Sequence, residues 1–288
     1  DEQYGMYVYL LPAPHTPGDS LLIHLVGKKQ YRGFVQGVED GQFDLVADGS
    51  FGSIRAFFPV IGYHEEETLR RNRKREERGL DRIAARMADL EDAQALGALS
   101  ITPDAMLVRG SIGIGTEAGE LPLAPGILTR TWRDERRVYR QYELREPVPF
   151  NWCLGSLAST PVTFKDGVTE FSIWAHPRHP YNLDFYQNAL SQAKGFIENT
   201  LGACKAPQIR LVEISHYQDA FYTFPNGLAI SEKEGWYVDT SRLKERAHLY
   251  HSVANLMLRW WLSERLQVAN VQGADMLRLA LPEALEHV

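Results

Sequence analysis

The sequence predicts an α+β protein, and three observations carry that reading. Short runs of alternating hydrophobicity recur through the first 176 residues, bounded by Gly, Pro and Asp turns. A Pro-punctuated stretch, His176-Pro177-Arg178-His179-Pro180-Tyr181-Asn182, then gives way to helical periodicity. Close to the end, residues 247–261 read as a long amphipathic core helix. The expected organisation is a β-rich sandwich or saddle over 1–176, then an α/β unit over 177–288. A chain of 288 residues is long enough to bury a core in each.

Hydrophobic content of 44% and charged content of 24% are those of a soluble globular protein. The net charge of −6 argues against a nucleic-acid partner, because phosphate neutralisation needs a basic surface. No apolar run approaches the roughly 20 residues that would span a bilayer, and the start, Asp1-Glu2-Gln3-Tyr4, lacks a basic-then-apolar signal.

In chain order, the expected strands are Met6 to Leu10, Ser20 to Val26, Gln42 to Val46 and Gly52 to Pro59. Glu65-Glu66-Glu67 followed by Arg70-Arg71-Asn72-Arg73-Lys74-Arg75 predicts a charged helical excursion over about 64–92, with charges ordered to suit the helix dipole. Such a run is a solvated face, or a patch for anionic lipid or an acidic partner. Strands return at Met106 to Ile114, Val138 to Leu144 and Thr169 to Trp174. Gly113-x-Gly115 lacks the rest of a nucleotide fingerprint and reads as strand and turn. Asn182 is placed to cap a helix over Leu183 to Leu201, with Leu183, Tyr186, Leu190, Ala193 and Ile197 on one face. Ile209 to Ile214 is a strand, and Ala220 to Glu232 continues the β structure.

Few residues promise chemistry by type and spacing. His176 and His179 are three apart, but Pro interrupts them and no acidic residue accompanies them in sequence, so they read as structural. His248 and His251 share a helix face without a third ligand or a base, which makes them the weaker metal alternative. Cys153 and Cys204 read as two lone buried thiols, although an oxidising compartment would permit one bridge. No Gly-x-Ser-x-Gly elbow occurs.

Residues Val253-Ala254-Asn255-Leu256-Met257-Leu258-Arg259-Trp260-Trp261, followed by Val268-Ala269-Asn270-Val271-Gln272-Gly273-Ala274-Asp275-Met276-Leu277, carry a family resemblance. They resemble the active-site helices of zinc aminopeptidases with the thermolysin-like (gluzincin) fold. The branch most similar is an extracytoplasmic domain of bacterial ABC-transporter permeases, with Val-Ala-His-Glu-x-x-His-Gln-Trp-Trp and then Ala-Asn-x-Gln-Gly-Ala-x-Met-Leu-Ser-Glu. Pro17-Gly18-Asp19-Ser20-Leu21, Asp48-Gly49-Ser50-Phe51, Pro59-Val60-Ile61-Gly62-Tyr63 and Leu123-Ala124-Pro125-Gly126 match further phrases of that branch in order. The resemblance implies a partial, degenerate peptidase on the periplasmic face of an inner membrane, joined to the membrane by segments outside this chain. It also implies an extended peptide or another transporter subunit as partner.

Aligned without gaps, the family's two zinc-binding His positions become Asn255 and Arg259, the general base becomes Leu256, and the distal Glu ligand becomes Leu279. Sliding by one places Ala254, Asn255 and Leu258 there instead. Neither set binds zinc or moves a proton. The related active enzymes use zinc; here no cofactor and no catalytic residue is expected. The same resemblance implies Glu232 as an anchor for a peptide amine, the alternative being a surface Glu without function, and Arg259 is expected to pair with a cleft carboxylate such as Glu232. The rival expectation is a working metal-dependent aminopeptidase whose site lies elsewhere.

Overall fold

Parallel strands Thr169–Trp174, Gln208–Ile214 and Gly227–Ser231 form the middle of a five-stranded sheet that positions everything else. The computed structural model describes residues 10–11, 13–14, 16, 18–26, 43–46, 49–54, 69, 71–83, 87–100, 107–150, 152–214 and 221–285. In chain order its strands are β1 (Phe43–Val46), β2 (Gly49–Ser53), β3 (Val108–Glu117), β4 (Leu121–Leu123), β5 (Ile127–Arg133), β6 (Arg137–Val148), β7 (Cys153–Leu157), β8 (Val162–Asp166), β9 (Thr169–Trp174), β10 (Gln208–Ile214), β11 (Phe221–Phe224) and β12 (Gly227–Ser231). The helices are α1 (Asn72–Glu76), α2 (Leu183–Thr200), α3 (Glu232–Gly235), α4 (Leu243–Arg265) and α5 (Leu281–Leu285). The class is α+β, as the sequence predicts.

The five-stranded sheet has the order β11-β12-β10-β9-β8, with its two outer strands antiparallel to their neighbours. Its two faces divide the core by strand alternation. Phe171, Ile173, Ile209, Leu211, Leu228 and Ile230 pack against α2 and α4. Trp174, Val212, Ile214 and Ala229 pack instead on Phe51, Leu123, Cys153 and Leu157 of the sheet β1-β2-β7-β4. A third sheet, β3-β6-β5, lies beyond and closes on Ile54 and Trp152. With both faces covered, β10 is buried from Ile209 to Ile214, its charged residues Arg210 and Glu213 included.

Position 176 does not divide these layers. β8 and β9 precede it, yet β9 pairs with β10 from Gln208↔Glu170 to Val212↔Trp174, so the α/β layer begins at Val162. Arg210 on β10 ties that layer back to the β-rich part: its guanidinium donates to the carbonyls of Ala124 (3.1 Å) and Gly126 and lies 4.8 Å over the Tyr142 ring.

Several sequence expectations change. Ser20 to Val26 is irregular and exposed, with no ladder partner among the described residues; alternation alone cannot hold a strand whose hydrogen bonds have no neighbour. Met6 to Tyr9, Arg55 to Pro59 and Glu65-Glu66-Glu67 lie outside the described residues. Among the described residues of the charged excursion Asn72–Glu76 is helix, exposed except at the half-buried Asn72 and Arg75, with Arg73 paired to Glu77 at 3.2 Å. Its far end returns to the C-terminal segment through single bridges, Ala88↔Val271 and Leu99↔Ala269. Asn182 precedes α2 as expected, but in the left-handed region (φ 60°), and its side chain serves another loop. Cys153 and Cys204 are free, buried in separate core clusters, and burial pushes the Cys153 thiol up to about 12. No described helix is long and apolar enough to cross a membrane.

Candidate functional site

Adjacent parallel strands end together, and open α/β sheets place ligands outside those carboxyl ends. In β9, β10 and β12 the residues facing the helices alternate through Phe171, Ile173 and Ala175, through Ile209 and Leu211, and through Leu228 and Ile230. The next positions on that face bring polar groups together: Glu213 at the end of β10, and Glu232 directly after β12. The loop after β9 adds His179, which is 9% exposed.

His179 Nδ1 lies 2.5 Å from Glu213 Oε1 and 3.4 Å from Glu232 Oε1. Its Nε2 lies 2.5 Å from the Tyr237 hydroxyl, which in turn donates to Glu232 Oε1 at 2.9 Å. The His176 amide donates to the other Glu213 oxygen at 2.6 Å. Asn182 fastens the two contributing loops, donating to the Val238 carbonyl (2.8 Å) and accepting from the Thr240 hydroxyl (3.1 Å). Trp236 anchors the second loop by donating from its indole to the Ile230 carbonyl at 3.0 Å.

Burial pushes the Glu213 carboxyl above the ordinary carboxylate range, against the hydrogen bonds from His176 and His179, and Glu232 adds like-charge repulsion. Desolvation and the Glu232 contact push the Tyr237 phenol up to about 12, so it stays a donor at neutral pH. Beneath Gly235 ends the hydroxyl of Tyr186, fully buried, under the influence of Glu213, and without a hydrogen-bond partner. Among the described residues, His179, Glu213 and Glu232 are the group whose ligand atoms converge as metal ligands do, all within 4.8 Å of one another.

His176 and His179 read as structural for want of acidic company; the fold supplies that company from residues 34 and 53 positions downstream of His179. Glu213 carried one legible signal, a carboxylate between Val212 and Ile214 at the end of a strongly predicted strand, and Tyr237 carried none.

The helix positions singled out by resemblance do not join this cluster. Leu256 is buried in the core and Leu279 is exposed on a short π-helical turn, Met276–Ala280. Asn255 is half-buried on α4. Arg259 pairs with Glu283 of α5 at 3.4 Å and not with Glu232, whose carboxylate is held by Tyr237. His248 and His251 are both exposed on α4 and belong to no converging ligand group among the described residues. Since Arg259 and Glu283 are one-third and two-thirds exposed, Arg259→Leu is expected to change stability by less than about 1 kcal/mol in urea unfolding.

Beside the second half of α4 lies a cavity of about 480 Å³, bounded by Trp260, Trp261, Glu264 and Arg265 and by Phe224 and Pro225 at the β11–β12 turn. The indole N–H groups of both Trp residues are buried without a partner.

No family model matches the chain, and no curated protein matches it. Among solved structures it is similar to Legionella pneumophila aminopeptidase A in complex with aspartic acid, at 13% identity and a TM-score of 0.55. The likeness is one of fold. It covers 64% of this chain and 23% of that one, so this chain spans under a quarter of the neighbour's length.

Proposed function

We propose that this chain is a peptidase-like domain that recognises an extended peptide or a partner protein and does not hydrolyse it. One observation carries the reading: where the resembling enzymes keep their zinc and base, α4 offers an amide at Asn255, a buried alkyl chain at Leu256 and an ion-paired guanidinium at Arg259. A water at that place has neither a metal to acidify it nor a base to take its proton. The cavity beside the same helix keeps two aromatic rings, two orphan donors and charges of both signs, the ingredients of a recognition groove. The edge position of β11 also suits strand addition by an extended segment. The order of short phrases supports a place beside a transporter permease on the extracytoplasmic face, with another subunit as the partner.

The test pairs two measurements on one preparation. Incubation with leucine amide and a pool of unstructured hexapeptides, with and without added zinc, should release no amino acid above background. Titration with the same hexapeptides should shift the indole NMR signals of Trp260 and Trp261. Zinc-dependent release would establish the rival enzyme, whereas unmoved indoles would sink the recognition reading.

A further inference from the structure

Around a neutral His179 the hydrogen bonds are short of protons. Four short contacts join the imidazole, two carboxylates and one phenol. In the neutral-ring tautomer with its proton on Nε2, the phenol proton serves Glu232 and the ring proton serves the Tyr237 oxygen; with the proton on Nδ1 the ring instead donates to Glu213. In the first tautomer Nδ1 faces Glu213 Oε1 at 2.5 Å and Glu232 Oε1 at 3.4 Å with lone pairs on all three atoms. There a proton or a metal cation has to sit where they converge. Among the described residues, the ion pairs of Glu213 and Glu232 are with His179 alone, so no Lys or Arg fills that role.

We propose that His179 Nδ1, Glu213 and Glu232 hold a divalent cation of the Zn²⁺ or Mn²⁺ class. One imidazole and two carboxylates suit such borderline ions, and three protein ligands leave a position open. The surroundings have the form that metal-bound histidines use. With a metal on Nδ1 the ring's second nitrogen would donate outward to Tyr237, whose hydroxyl donates to the ligand Glu232, fixing tautomer and orientation. Glu213 is steadied by the His176 amide. The ion clasps three elements, the loop after β9, the end of β10 and the start of α3, and so sets the loops at the sheet's carboxyl edge. This site is separate from α4 and does not depend on the recognition reading.

Chelator-treated protein is loaded with Zn²⁺ or Mn²⁺, desalted and analysed by plasma mass spectrometry, with thermal melts in parallel. The expected result is about one ion per chain and a higher Tm with metal. Glu232→Gln and Tyr237→Phe, both near the surface and checked for native circular dichroism, should weaken retention at least about tenfold. The paired variant His248→Ala/His251→Ala should retain the ion. No retention by the native chain would overturn the proposal and assign the central place to a proton on His179. Equal retention by Glu232→Gln, or loss of the ion on removing His248 and His251, would overturn it as well. Peptide hydrolysis is not a readout here, so failure of the metal site and failure of the recognition reading remain distinct.

Discussion

Replacing Arg210 with Met should lower the unfolding free energy by about 3 kcal/mol, read from urea denaturation. The guanidinium is wholly enclosed and satisfies two backbone carbonyls, those of Ala124 and Gly126, in the segment joining β4 to β5. Gly126 stands at φ 96° with its Cα against the Glu143 carbonyl, so this turn cannot move to find other donors. A Met of similar length fills the space but leaves both carbonyls buried and unpaired, and it forfeits the contact with the Tyr142 ring. Burial pushes the Arg210 pKa down to about 10, which still leaves the group charged at neutral pH. Arg210→Lys should recover little, because a single ammonium does not span two carbonyls as the planar fork does. A loss below about 1 kcal/mol for Arg210→Met would mean that the β-rich part and the α/β layer are held by apolar packing alone.

Trp236→Ala is expected to be the most damaging single truncation, at about 3–5 kcal/mol. The ring is fully buried, packs 4.5 Å from Tyr186, and donates to the Ile230 carbonyl on β12. Gly235 before it has no room for a side chain: a Cβ there would meet the Tyr186 hydroxyl at 2.5 Å and Leu249 at 2.7 Å. Removing the indole therefore empties the space beneath the loop that carries Glu232 and Tyr237, and should loosen the His179 cluster together with the fold. Trp236→Phe separates the two effects. It keeps most of the packing and loses only the hydrogen bond, for a cost of about 1–2 kcal/mol. If Phe proves as harmful as Ala, the indole N–H and not the ring volume is what holds the loop.

Local signals accounted for much of the secondary structure. Thr169–Trp174 has the bounds expected from its alternation, and Leu183–Thr200 ends one residue before the expected Leu201, because each element's pattern is written in its own neighbours. α4 runs longer than the expected 247–261, its first turns being exposed and without an apolar stripe to read. The strand expected at Ser20 to Val26 failed for the complementary reason: whether an alternating run finds a ladder partner is a long-range fact.

By itself the sequence determined the α+β class and the apolar faces of α2 and α4, since each follows from local periodicity. Only the tertiary structure decided that Arg259 answers to Glu283, that the α/β layer reaches back to Val162, and that His179 meets Glu213 and Glu232. The last of these rests on strand order. Parallel pairing of β9, β10 and β12 aligns three carboxyl ends whose residues are far apart in the chain; two-residue alternation turns Glu213 and Glu232 to the same face, and the loop after β9 brings His179 to them.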